Sequence, residues 1–109
     1  MKKIKNDPQT NQSVYRQLEE VIGCKWSVSV LKAVADNVIR PGKLERHIAG
    51  ISKKVLSERL RKLTDYGLLQ KQSYAEVPPR TEYSLTDNGK KLISIIVQLS
   101  TLDMQIKNA

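Results

Sequence analysis

Three leucines inside a basic stretch do most to limit what this chain can fold into. At about 100° of rotation per residue, Leu56, Leu60 and Leu63 fall in one narrow sector and must face a core. Lys54, Ser57 and Arg61 fall opposite them, with Lys53 and Thr64 alongside. Ser52 supplies an N-cap before the run, and Gly67 a C′ stop after it. Upstream, Pro41 suits the first turn of a short helix through Leu44 and Ile48, and Ala49-Gly50-Ile51 makes a tight turn. Downstream, residues 69–74 and 81–85 read as short strands. In the second, Thr81, Tyr83 and Leu85 alternate with Glu82 and Ser84. Val77-Pro78-Pro79 between them is too stiff and too poor in N–H donors to be sheet.

The rest of the chain frames that unit. Residues 1–12 are polar, contain Pro8 and read as a flexible arm. Val14, Leu18, Val21 and Ile22 have helical spacing, with Gly23 as a stop. Residues 27–35 form a second helix with Val28, Leu31, Val34 and Ala35 on its apolar face, ended by Asp36-Asn37. Thr86 caps a last helix to about residue 106, leaving 107–109 as a tail. The expected class is mainly α with a small β-hairpin (α+β). A short helix, a Gly-containing turn and a longer basic helix make a helix-turn-helix, and the hairpin after it is a wing. A single domain over residues 13–106 carries this winged helix-turn-helix.

A chain of 109 residues fits one domain with a real core. Nineteen Lys and Arg stand against eleven Asp and Glu, a net charge of +8, and nearly all of it lies in the middle third. Residues 25–62 hold ten basic side chains against Asp36, Glu45 and Glu58. Such a concentration attracts polyanions, although a solvated surface or an acidic protein partner also fits it. One cysteine, Cys24, excludes a disulfide framework, and one histidine, His47, excludes an HExxH pair. No GxSxG, GxGxxG or P-loop pattern occurs. No apolar run approaches the ~20 residues of a membrane span, and nothing near Met1 resembles a signal peptide. The expectation is a cytoplasmic binding protein that is not an enzyme, needs no cofactor or metal and has no membrane partner.

An outward face carrying Lys, Ser and Arg suits entry into the major groove of double-stranded DNA, where Arg and Lys donate to guanine. Lys53, Lys54, Ser57 and Arg61 are the candidate groove contacts, with Lys71 and Arg80 on the wing. Lys43 and Ser52 are candidate backbone contacts, Ser52 through its helix N-terminus. Glu58 and Asp65 share that side and repel phosphate; Glu58 can instead accept from a cytosine amine or orient Arg61. Arg59 points towards the apolar side, where it would pair or snorkel. The rival readings are an ordinary amphipathic surface helix and a winged-helix module for protein contact.

Several segments resemble the HxlR-type family of bacterial and archaeal transcriptional regulators. They are Ile22-Gly23-Cys24-Lys25-Trp26, Gly50-Ile51-Ser52, Val55-Leu56-Ser57-Glu58-Arg59-Leu60-Arg61-Lys62-Leu63 and Tyr66-Gly67-Leu68-Leu69. The most specific run is Tyr74-Ala75-Glu76-Val77-Pro78-Pro79-Arg80-Thr81-Glu82-Tyr83-Ser84-Leu85-Thr86, followed by Gly89 and Leu92. The resemblance implies a MarR-like homodimer on operator DNA, often responsive to stress or to a small-molecule effector, here unknown. It places the helix from Ser52 in the major groove and the loop 75–80 on flanking backbone or minor groove. Many redox- or electrophile-sensing members carry a cysteine where this chain has Ser13, whose hydroxyl cannot form a disulfide or thiolate adduct. Cys24 stands where the family usually has glycine, and Arg40-Pro41 replaces its Arg-Phe.

The last helix carries more apolar residues than one stripe needs. Leu92, Ile96 and Leu99 form one ridge and Ile95, Leu102 and Ile106 another, with Ile93 and Val97 between. A two-fold dimer through both terminal helices would cover the surplus, as would a wholly intramolecular fit. Cys24, beside Lys25 at a helix start, reads either as a redox or electrophile sensor or as a small buried residue. His47 is expected at the surface near phosphate or a carboxylate. Trp26 reads as a core anchor or as the border of a ligand pocket.

Overall fold

The computed structural model describes residues 8–109, with side chains from residue 14 onward. Five helices and one hairpin follow in order: α1 (Pro8–Ile22), α2 (Lys25–Ala35), α3 (Pro41–His47), α4 (Lys53–Asp65), β1 (Leu69–Tyr74), β2 (Arg80–Leu85) and α5 (Asp87–Lys107). This is the expected α+β winged helix-turn-helix, with β1 and β2 as an antiparallel pair.

Four boundaries differ from expectation, one of them that of β2, which takes in Arg80 from the expected loop. Residues 8–12, read as part of a flexible arm, are helical, because α1 starts at Pro8, a residue whose fixed φ suits a first turn. Residues 1–7 of that arm, and the side chain of Ser13, lie outside the described residues. α2 starts at Lys25, two residues early, because Cys24 is its N-cap and the Cys24 carbonyl accepts the Val28 N–H at 3.0 Å. α5 takes in Lys107 from the expected tail.

The caps act as the residue types suggest. Ser52 Oγ accepts the Val55 N–H at 3.1 Å, starting α4. Gly67 ends it with φ 76°, letting the Leu68 N–H return to the Leu63 carbonyl at 3.0 Å. Thr86 caps α5 by accepting the Gly89 N–H at 3.0 Å. It also ties α5 to the end of α4, its hydroxyl donating to the Gly67 carbonyl at 2.6 Å.

α2 is the hub, packed by α1, α3, α4, α5 and β2. Around it Val30, Leu31, Leu44 and Leu63 are fully enclosed, joined by Val21, Leu56, Leu60, Leu69, Leu92 and Ile96. Burying each such side chain contributes about 1.5–3 kcal/mol. The hairpin pairs Leu69 with Leu85 and Tyr74 with Arg80 at its two ends. Its position is set from outside as well: the Tyr83 N–H donates to the Ile39 carbonyl at 2.9 Å, seating β2 on the α2–α3 connection.

α5 outruns this core. Leu92 and Ile96 are buried, but Ile95, Leu99, Leu102 and Ile106 are all exposed. The radius of gyration, 15.8 Å, exceeds the roughly 13 Å expected of a rounded chain this long, as a projecting helix requires.

Candidate nucleic-acid interface

The turn between α3 and α4 is held from below. Ile48 and Ile51 are buried on either side of it, and Gly50 takes φ 84°, a backbone conformation that side chains disfavour. Trp26 packs against the core beneath; its ring edge lies 3.6 Å from where a Gly50 Cβ would stand. Trp26 is therefore an anchor of the core and of this turn.

With the leucines of α4 turned inward, Lys53, Lys54, Ser57 and Arg61 are all exposed. Ser52 and Lys43 are exposed at the starts of α4 and α3, and Lys71 on β1. A cleft of about 460 Å³ runs between α4 and the hairpin, and Ser57, Arg61 and Lys71 share its lining with Pro41, Thr64 and Asp65. Three residues from two separate elements thus meet at one opening. Among the described residues, neither Lys43, Lys53, Lys54, Arg61 nor Lys71 forms an ion pair. Their charge is available to a partner.

Other cations are engaged inside the molecule. Lys62 lies on the flank of α4 that faces α1 and pairs with Glu20, whose other oxygen accepts the Tyr66 hydroxyl at 3.0 Å. Lys62 first, then Tyr66, lowers the Glu20 carboxyl pKa, and Glu20 raises that of Lys62. Arg59 is half-buried and keeps its Nε enclosed without a hydrogen-bond partner, and among the described residues it forms no ion pair. Lys25 sits 4.7 Å over the Trp26 ring.

Arg80, expected as a wing contact, is also engaged. Its guanidinium stacks on Tyr74 at 3.9 Å and lies 3.3 Å from Glu76 and 3.4 Å from Glu82. Glu82 also accepts from Arg40 Nε at 3.4 Å. Neither Arg40 nor Glu82 is a candidate contact from the sequence; forty-two positions separate them, and no periodicity spans such a gap.

His47 is exposed at the end of α3. Cys24 is half-buried at the start of α2. Burial raises its thiol pKa, but the Ser27 hydroxyl, the backbone N–H groups of Ser27 and Trp26, and the Arg59 charge outweigh it and leave the thiol below its usual value. The sulfur closes no capping hydrogen bond, so these donors act as neighbours and not as a fixed cage.

The chain is similar to known helix-turn-helix proteins. The family described as HxlR-like helix-turn-helix matches residues 21–109. An HTH-type transcriptional regulator of Methanothermobacter thermautotrophicus is 41% identical over 75 residues, 69% of this chain and 57% of that protein. The similarity therefore spans little more than half the length of that relative. The HTH-type transcriptional regulator YkvN of Bacillus subtilis is 40% identical over 81 residues, 74% of this chain and 69% of that one. Among solved structures, a MarR-family transcriptional regulator from Enterococcus faecalis V583 superposes with a TM-score of 0.77 at 31% identity, covering 99% of this chain and 96% of that one. The redox regulator HypR in its oxidised form superposes with a TM-score of 0.70 at 31% identity, over 79% and 89% of the two chains.

Proposed function

Since the chain belongs to the HxlR-like helix-turn-helix family, whose members here are transcriptional regulators, we propose that it binds operator DNA as a homodimer. α4 enters the major groove and the hairpin lies along the flanking backbone. The observation that carries this reading is the outward face of α4, where Lys53, Lys54, Ser57 and Arg61 are exposed and free of ion pairs among the described residues. The cleft shared by Arg61 and Lys71 extends that face towards the wing. Lys43 and the N-terminus of α4 at Ser52 supply backbone contacts. Two copies related by a two-fold axis would set their α4 helices about 34 Å apart, on successive major grooves of one DNA face.

Fragments selected from genomic DNA and then footprinted give the operator, and fluorescence anisotropy over a salt series gives the electrostatic share. On that operator, Arg61→Ala is expected to cost about 1–3 kcal/mol at one base pair and to relax specificity there. An equal loss on operator and random duplex assigns Arg61 to phosphate instead. A flat salt dependence with no footprint favours the protein-contact module and removes the DNA reading.

A second reading concerns control. Cys24 combines partial exposure with a lowered pKa, and the fold is shared with a redox regulator. The thiolate is the reactive form, so Cys24 is proposed as an electrophile-responsive site that alters operator affinity. Treating the native protein with N-ethylmaleimide is expected to shift that affinity, and Cys24→Ser to be indifferent to the reagent. Alkylated protein that binds operator as before removes this reading.

A further inference from the structure

We infer that Glu82 is the carboxylate that positions the wing against the helix-turn-helix, and that Arg80 serves as a strut within the wing instead of a contact to DNA. The inference rests on the DNA-binding reading above and assigns roles that reading leaves open.

Glu82 Oε2 stands 3.4 Å from Arg40 Nε and 3.4 Å from Arg80 Nε. The Arg40 contact is a hydrogen bond; that of Arg80 is an electrostatic one, since its buried Nε has no aligned acceptor. Arg40 is the N-cap residue of α3, and Arg80 opens β2. One carboxylate therefore joins the helix-turn-helix to the wing. The backbone bond from Tyr83 to Ile39 and the packing of Leu69 and Tyr83 in the core join the same elements.

Charge decides what Arg80 can do. Arg40 and Arg80 face Glu76 and Glu82, two cations against two anions. The cluster is neutral and offers phosphate no net attraction, unlike Lys71 on the neighbouring strand. One face of the Arg80 guanidinium is covered by Tyr74, and its side chain is 29% exposed against 47% for Arg40. A planar, delocalised cation suits such stacking, which lysine cannot reproduce. Removing the Glu82 charge would leave two guanidinium groups facing each other with one carboxylate, Glu76, on the outer side. Repulsion would then push the wing away from α3.

Three variants test this: Glu82→Gln, Arg80→Ala and Arg80→Lys. Operator affinity is measured across salt concentrations, and amide hydrogen exchange is measured at Tyr83 without DNA, relative to Leu31 in the core. Glu82→Gln is expected to weaken operator binding roughly fivefold and to speed Tyr83 exchange by a similar factor. Arg80→Ala and Arg80→Lys should both weaken binding while the slope of log affinity against log salt stays as in the wild type. A slope lower by about 0.9 in Arg80→Ala, with Arg80→Lys unimpaired, means that Arg80 neutralises a phosphate and overturns the strut. Wild-type affinity and wild-type Tyr83 exchange in Glu82→Gln overturn the positioning role. Failure of the unaltered protein to bind any duplex would remove the DNA reading, and Tyr83 exchange would still decide whether Glu82 holds the wing.

Discussion

Leu102→Asp is expected to leave the chain monomeric and to weaken operator binding by roughly 100-fold or more, because in the proposed dimer two linked half-site contacts would become one. Leu102 belongs to a stripe of α5, Ile95, Leu99, Leu102 and Ile106, whose spacing of four, three and four residues keeps it on one helix face. All four are exposed, Leu102 at 49% and Ile106 at 65%. Val14 and Tyr15 of α1 add further exposed apolar surface. Contiguous apolar area of this kind is characteristic of an interface. Leu102 is half-exposed and stands outside the core cluster, so the fold tolerates an aspartate there; inside a two-fold interface it places a charge in an apolar seam on both copies. Sedimentation equilibrium and circular dichroism separate dissociation from unfolding. A variant that remains dimeric places the interface elsewhere, and a monomer with undiminished affinity means that one half-site suffices.

Gly89→Ala is expected to destabilise the fold by about 2–4 kcal/mol, lowering the melting temperature by roughly 10–20 °C. The reason is local. The Leu68 carbonyl accepts the Thr86 N–H at 3.1 Å, which brings the first turn of α5 hard against the exit of α4. A Cβ on Gly89 would stand 2.1 Å from the Leu68 oxygen and 3.2 Å from Leu85 Cδ2. The oxygen belongs to backbone and cannot swing aside, so α5 or the Leu68 segment must move. Gly42→Ala is the control, because its Cβ would meet only the tip of Arg46 at 3.8 Å; helix propensity favours that change by up to about 1 kcal/mol. Thermal melts of the two variants should move apart. A Gly89→Ala melt within a degree of the wild type would show that the α4–α5 junction is looser than these distances describe.

Much of the architecture was legible because its signals are short-range. Leu56, Leu60 and Leu63 separate the inner face of α4 from the outer by simple rotation, and Ser52, Gly67 and Thr86 mark helix ends through bonds within a few residues. Where local signals were weak, the boundaries moved. Pro8 begins a helix inside the segment read as an arm, and Cys24 caps a helix that starts two residues before its apolar pattern indicated. Cysteine is not a favoured cap, and a polar segment with a proline carries little helical periodicity.

The basic face was less fully legible. Local sequence determined that α4 carries cations on one side and leucines on the other, and that a hairpin follows at once. Only the tertiary structure decided which cations are left for a partner. Lys54 and Arg61 are free of ion pairs among the described residues, whereas Lys62 is held by Glu20, and Arg40 and Arg80 by Glu82. The physical reason is range. A helix period tells which residues share a side, but a salt bridge between residues forty-two apart exists only once two elements have packed, and packing is set by the shape of the core between them.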